Sequence, residues 1–348
     1  MSEKKVTIKE IAQNTGVSMG TVHRVIYGKG GVGEETRQRV LAEIERTNYQ
    51  INTIAASMKR KAIVIAVVLP KPVGDERFYY RGIWKGVKEA AEKLKTYKVE
   101  FRFIESEYGQ SQIALELQKL FDNELDDING IITLADDDET VLWLKRFQKQ
   151  GVSVVTVSGY GEEHGCTCNI RVDHETAGQL AAEYMESLCG EKEGKYLILT
   201  GNQDIYSNRK YADGFVRAER KLGNEDKLLL LHGFGMNQIE EPCKKVLEDE
   251  QISGIFSCTA RNTYSVCKIL DEMNLKKIPV IGTDVFLELE EYFEKGILNA
   301  SIYQYNVEQG RESVNILYRY LASSELEKEN MIMPLGIVMK SNYQYYIS

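Results

Sequence analysis

From residue 62 onward, short apolar runs alternate with amphipathic stretches. This alternation constrains the fold of the chain more than any other feature. The runs lie at 63–69, 99–104, 131–134, 152–157, 196–200, 228–231, 254–258 and 279–282. Between them, segments 81–95, 109–121, 138–150, 175–189, 207–221, 237–249 and 261–273 repeat apolar residues at helical spacing. Strands separated by helices build βαβ units, that is, parallel sheets with helices on both faces. The series is too long for one small sheet, so the expected class is α/β with two doubly wound lobes. Ligands of such sheets bind beyond the carboxyl ends of the strands, which makes the crevice shared by the lobes the expected pocket.

The first 61 residues follow a different pattern. Thr7 and Glu10 have the spacing of a capping box, in which each side chain satisfies an orphan amide of a helix start. Ile8, Ile11 and Ala12 give that helix an apolar face. Gly16 is free to take the positive φ of a tight turn, and Ser18 is a good N-cap for a second helix. The inner face of that helix would be Val22, Val25 and Ile26, leaving Met19, Gly20, Thr21 and Arg24 outward, with His23 alongside. Helix, short glycine turn, helix is the helix-turn-helix arrangement, whose second helix reads a major groove. A third helix, from Glu34 to about residue 46, closes the small core through Val40, Leu41 and Ile44. The connector before it, residues 28–33, formally matches GxGxxG. It follows a helix rather than a strand, and Glu34 would repel phosphate, so it is read as a connector rather than a phosphate loop.

Charge supports this division. The chain carries a net charge of −8, yet residues 1–61 hold 11 basic and 6 acidic side chains, leaving −13 on the rest. A basic end on an acidic body is expected when only one end meets nucleic-acid phosphate.

The stretch VTIKEIAQNTGVSMGTVHRVIYGKGGVGEETRQRVLAEIERTNYQINTIAASMKRK (6–61) resembles the DNA-binding headpiece of the lactose/galactose repressor (LacI/GalR) family. The matching pieces are T-I-K-E-I-A, G-V-S, T-V-x-R-V, E-E-T-R-Q-R-V, N-Y and N-x-x-A-x-x-M, in one order. The chain departs from the family at Ile51, where a Pro is usual, at His23, where a Ser is common, and at Gly33, where a Ser cap is common. The resemblance implies DNA contacts from Thr7, Ser18, Met19, Gly20, Thr21, His23 and Arg24. It also implies a hinge helix at 52–61, in which Asn52 and Ala55 approach DNA and Met58 wedges into a base step of the minor groove. The expected division is a headpiece at 1–51, a hinge at 52–61 and an effector-binding domain at 62–348. The first lobe would span about 62–165 and 305–333, and the second about 166–304 and 334–348.

Residues 62–348 resemble the effector domains of that family and the ribose-type periplasmic binding proteins. On this resemblance Phe78 and Tyr79 would stack on a sugar ring, and Asn202, Arg209, Thr259, Asp284 and Gln304 would contact its hydroxyls. Ser158-Gly159 stand where the sugar binders carry Asp-Arg, which implies a differently shaped or less polar effector. The tail lacks leucine heptads, so a dimer reading a pseudo-palindromic operator is expected, rather than a tetramer.

No apolar run reaches the roughly 18 residues of a membrane span. The charged start MSEKK is not a signal peptide, so a cytoplasmic location is expected. Six scattered cysteines are neither a disulfide scaffold nor a metal site, and no cofactor is implied. The expected function is a transcriptional repressor of carbohydrate uptake or catabolism genes, controlled by a sugar-like effector. One alternative is an activator or co-repressor-type regulator answering to a non-sugar metabolite. Another is a doubly wound enzyme with a DNA tether. The enzyme reading finds no phosphate loop, no nucleophile elbow and four histidines (23, 164, 174, 232) in unrelated contexts.

Overall fold

The computed structural model describes residues 6–26, 30–47, 62–107, 112–159, 165–189, 192–323, 326 and 329–347. The chain forms two compact units: a helical one within residues 1–61 and a larger body from Ala62 onward.

In the helical unit, α1 (Ile8–Thr15) starts on the expected capping box. The Thr7 amide donates to the Glu10 carboxylate at 2.8 Å, and the Glu10 amide donates to Thr7 Oγ1 at 3.3 Å. Gly16 ends the helix at φ 67°, a value that a side chain would make costly. Ser18 then caps α2 (Met19–Ile26) by accepting from the Thr21 amide at 3.1 Å. Helix α3 (Glu34–Arg46) follows Gly33, which offers no side-chain cap. Ile11, Ala12, Val22, Val25 and Val40 form the buried core, and Ile8, Ile26 and Ile44 pack around it. Leu41, expected inside, is 40% exposed, because it lies one residue round the helix from Val40.

The body contains β1 (Ile63–Pro70), α4 (Arg77–Leu94), β2 (Val99–Ser106), α5 (Ile113–Glu124), β3 (Gly130–Thr133), α6 (Asp138–Lys149), β4 (Ser153–Val157) and β5 (Cys168–Arg171). It continues with α7 (His174–Cys189), β6 (Lys195–Gly201), α8 (Tyr206–Lys221), β7 (Leu228–His232), α9 (Met236–Asp249), β8 (Ile252–Ser257) and α10 (Ala260–Glu272). Last come β9 (Val280–Thr283), α11 (Glu290–Glu294), β10 (Leu298–Tyr303), α12 (Asn306–Ser323), β11 (Asn330–Ile332) and β12 (Gly336–Val338). Two six-stranded sheets result, in the orders β11-β5-β4-β3-β1-β2 and β12-β10-β9-β8-β6-β7. Every neighbouring pair is parallel except β10–β12.

Strands β5 and β10 were not among the eight apolar runs, because polar residues interrupt them. Asn169 of β5 is buried and its Oδ1 accepts from Thr156 Oγ1 at 2.8 Å. Asn299 of β10 accepts from the Val280 amide at 2.9 Å. Since β5 pairs with β4, the first-lobe sheet extends through Arg171, beyond the boundary expected near 165. The chain crosses between lobes after β5, after β10 and between β11 and β12.

Glycines set how closely the flanking helices approach. A Cβ on Gly86 of α4 would overlap the Val307 carbonyl of α12, and one on Gly214 of α8 would overlap the Glu175 carbonyl of α7. Among the described residues, no helix is long and apolar enough to cross a membrane. None of the six cysteines is in a disulfide.

The second lobe buries an acidic side chain. Glu219 of α8 is fully buried, with Oε2 accepting from Asn224 Nδ2 at 2.8 Å. Burial, with Glu186 nearby, raises its pKa to about 7 from the ordinary 4.5. A folded pKa above the unfolded one means the neutral acid stabilises the fold fully below about pH 4.5, and this contribution is lost as pH rises to about 7. Glu219→Gln keeps the shape and removes the titration. Urea unfolding of wild type and variant should therefore diverge in favour of the variant between those two pH values. Parallel curves would show that Glu219 does not titrate there.

Candidate functional site

The capped geometry of α2 divides its residues between core and solvent. Val22 and Val25 point into the three-helix core, whereas Met19 (56% exposed), Gly20 and Arg24 face outward and Thr21 is half-buried. Ser18 Oγ and Thr21 Oγ1 lie 3.0 Å apart, so the first turn is held by side chains as well as by backbone. Arg24 Nη1 lies 3.4 Å from the Gly31 carbonyl, a weak tether that leaves the guanidinium accessible. Thr7 is exposed at the start of α1 with its hydroxyl engaged by Glu10. The structure thus places Thr7, Ser18, Met19, Gly20, Thr21 and Arg24 on the surface. The His23 side chain and the expected hinge residues Asn52, Ala55 and Met58 lie outside the described residues.

In the body, the carboxyl ends of β1, β4, β6, β8, β9 and β10 open into one cavity with about 530 Å³ of empty space between the lobes. That falls within the roughly 300–1,000 Å³ of small-molecule sites. Five of the eight expected effector residues line it: Tyr79, Ser158, Thr259, Asp284 and Gln304. Asp284 follows β9 in the left-handed region (φ 66°) and is 1% exposed, with Gln304 Nε2 donating to its two oxygens at 3.1 and 3.0 Å. Burial raises its pKa to about 8, and the Gln304 hydrogen bonds lower it only in part. Thr259 caps α10, accepting from the Asn262 amide at 3.1 Å. Ser158 sits at φ 62° and donates its amide to the Ile170 carbonyl at 2.8 Å. Next to it, a Cβ on Gly159 would collide with the Asp136 carboxylate. A buried acid therefore fills the room at the position where the Ser-Gly departure was read. Burial, then Asp137, raises Asp136 to about 7.

Three expected effector residues are elsewhere. Phe78 is 2% exposed and belongs to the core of the second lobe, its ring stacked on Phe286 at 4.4 Å and tilted against Tyr264 at 5.1 Å. Asn202 forms a local turn, its Oδ1 accepting from the Asp204 amide at 3.0 Å. Arg209 is exposed and donates to the Gln203 carbonyl at 2.9 Å. Its neighbour Asn208, turned by one helical step, faces the cavity instead.

Sequence reasoning missed Asn208, Tyr211, His174, Phe234, Glu76 and Arg261, all of which line the cavity. Asn208 and Tyr211 share a face of α8 with Phe215, a period legible in YSNRKYADGF. His174 begins α7, and the cap there is Asp173, which accepts from the Thr176 amide at 3.0 Å. Burial, reinforced by Arg171, pushes His174 down to about 3, so its imidazole is neutral. At the mouth, Arg261 of the second lobe pairs with Glu76 of the first at 2.9 Å and stacks on Phe234 at 3.6 Å. Arg77 of α4 similarly reaches Glu288 of the second lobe at 2.8 Å. These ion pairs and Phe78 hold the lobes together around the cavity. Among the described residues, no group of His, Cys, Asp and Glu is placed to hold a metal ion.

Comparison with known proteins matches both units. Residues 65–325 match the periplasmic binding protein domain, and residues 7–52 match the lacI family of bacterial regulatory proteins. Catabolite control protein A of Staphylococcus epidermidis is 23% identical, across 97% of this chain and 99% of its own. The ribose operon repressor of Lactococcus lactis is 24% identical, across 96% and 97%. Among solved structures, a Burkholderia graminis solute-binding protein in complex with D-arabinose superposes with a TM-score of 0.70. It is 20% identical and covers 83% of this chain and 99% of its own. A glucose-galactose binding protein from Geobacillus stearothermophilus gives 0.69 at 20% identity, covering 82% and 99%. The curated relatives are regulators rather than enzymes. With a lacI-type helix-turn-helix unit followed by a periplasmic-binding-protein body, the chain belongs to the LacI family of bacterial regulatory proteins.

Proposed function

We propose that this protein is a sequence-specific transcriptional repressor of carbohydrate uptake or catabolism genes, controlled by a small sugar-like effector held between the lobes. The observation that carries the reading is the joining, in one chain, of an exposed reading face (Met19, Gly20, Thr21, Arg24) and a buried polar cleft on a two-lobed body. The names of the relatives, catabolite control and ribose operon repression, support the carbohydrate link.

The protein acts in the cytoplasm as a homodimer, with one headpiece on each half of a pseudo-palindromic operator. Arg24 and Thr21 read base edges in the major groove, while Thr7, Ser18 and the basic flanks hold phosphates, which position without specifying. His23 adds a contact beside Arg24. Asn52, Ala55 and Met58 form the hinge at the minor groove. In the cleft, Tyr79, Ser158, Thr259, Asp284 and Gln304, joined by Asn208 and Tyr211, bind the effector. Closure of the lobes on the effector alters the hinge, with a coupling of about 1–3 kcal/mol between the two sites.

The test is an Arg24→Ala variant on the native operator. Specific affinity is expected to fall about 5- to 150-fold, the 1–3 kcal/mol of a good base contact, with specificity relaxed at one position of each half-site. Unchanged affinity and specificity in a binding titration would contradict the assignment of α2.

A further inference from the structure

The cleft lacks a cation free to balance its acids. Asp75, Glu76 and Asp284 line it, and Arg261 is the only arginine or lysine that does so. That guanidinium is engaged by Glu76 and by the face of Phe234. Arg209, the expected cation, points away and bonds to Gln203. Asp284, at the floor, meets only the neutral amide of Gln304.

A second, independent feature points to a missing ligand. Tyr211 and His174 also line the cavity, each 2% exposed. The Tyr211 hydroxyl and His174 Nδ1 have no hydrogen-bond partner among the described residues. Buried polar atoms of this kind are normally satisfied, so the site is built for a molecule that supplies polar groups. The rings of Tyr79, Tyr80, Tyr211 and Phe234 add aromatic walls.

Resting on the effector-cleft reading above, we propose that this cleft takes a small hydroxylated molecule bearing a protonated amine. Its ammonium is seated on Asp284, and its hydroxyls reach Tyr211 and His174. An ammonium supplies the charge that Asp284 lacks, through charge-assisted hydrogen bonds, and its apolar neighbours lie against tyrosine faces. A phosphate ester or sugar acid would instead bring a negative charge to Asp75, Glu76 and Asp284, with Asp136 close behind Gly159. A neutral sugar satisfies the hydroxyl partners and leaves the buried acid without its counter-charge. The neutral imidazole of His174 does not compete for the site as a second cation.

The experiment is calorimetric titration of the full-length protein at neutral pH with glucosamine, putrescine, glucose and a phosphate ester of glucose. Glucosamine is expected to bind at least about tenfold more tightly than glucose, and the phosphate ester not at all. Asp284→Asn, nearly isosteric, should lose that preference and bind glucosamine and glucose alike. A melting curve would show whether the variant is folded, and the wild-type ranking stands without it. Glucose binding as tightly as glucosamine, or preferred binding of the phosphate ester, would overturn the amine while leaving the effector cleft in place. Binding by none of the four would overturn the amine as well, and the cleft reading would lose its support. Putrescine binding without glucosamine would support the ammonium seat on Asp284 and overturn the role of the hydroxyls.

Discussion

A Val22→Asp variant is expected to lose specific DNA binding outright while the body keeps its melting transition. Val22 is fully buried on α2, at the centre of a core with only four other buried apolar side chains, Ile11, Ala12, Val25 and Val40. A unit this small has only a few kcal/mol of stability to lose. An unpaired buried carboxylate costs several kcal/mol, which exceeds that margin, so the three helices should separate. Specific binding is typically at least about 10³-fold tighter than non-specific binding, and that difference is the expected loss. Electrophoretic shifts with an operator fragment, read beside differential scanning calorimetry, check both halves. A variant that still binds specifically would show that α2 is not held by this core.

Phe78→Ala is expected to give the largest stability loss of any single truncation at the cleft. The side chain begins in α4 of the first lobe and ends in the apolar cluster of the second, against Phe286 and Tyr264. Removing a buried phenyl ring costs about 3–5 kcal/mol, and a domain of this size shifts by roughly 2–4 °C per kcal/mol. A drop in melting temperature of about 6–20 °C is therefore expected. The ring does not line the cavity, so effector affinity should change mainly through the easier parting of the lobes. A small melting shift with a large direct loss of binding would instead return Phe78 to the ligand.

The contrast between the expected and observed roles of Phe78 shows what a sequence can convey here. Residues at strand ends were read well: Ser158, Thr259, Asp284 and Gln304 each follow a strand whose end must face the crevice, and all four line it. That inference needs only the alternation of strands and helices. Residues on the first turns of α4 and α8 were read poorly, because which face a side chain takes turns by about 100° per residue. Those two helices start without a side-chain cap, after Glu76 and Ile205, so nothing local anchors their phase. Phe78 was thus placed on the ligand instead of Tyr79 alone, and Arg209 instead of Asn208. In the headpiece, Thr7 and Ser18 cap their helices through their side chains, and the outward positions on α2 followed correctly. The pairs Arg77–Glu288 and Arg261–Glu76 join residues about two hundred positions apart, and no local pattern announces them.

The central claim is that α2 reads a specific operator for carbohydrate genes. Selection of the source organism's own genomic fragments by the full-length protein tests it most directly. It would be run at two salt concentrations, because phosphate contacts make affinity steeply salt-dependent. The account predicts recovery of a short pseudo-palindrome upstream of sugar uptake or catabolic genes, retained at the higher salt and lost with Arg24→Ala. Fragments without a shared sequence, released uniformly as salt rises and indifferent to Arg24→Ala, would contradict it.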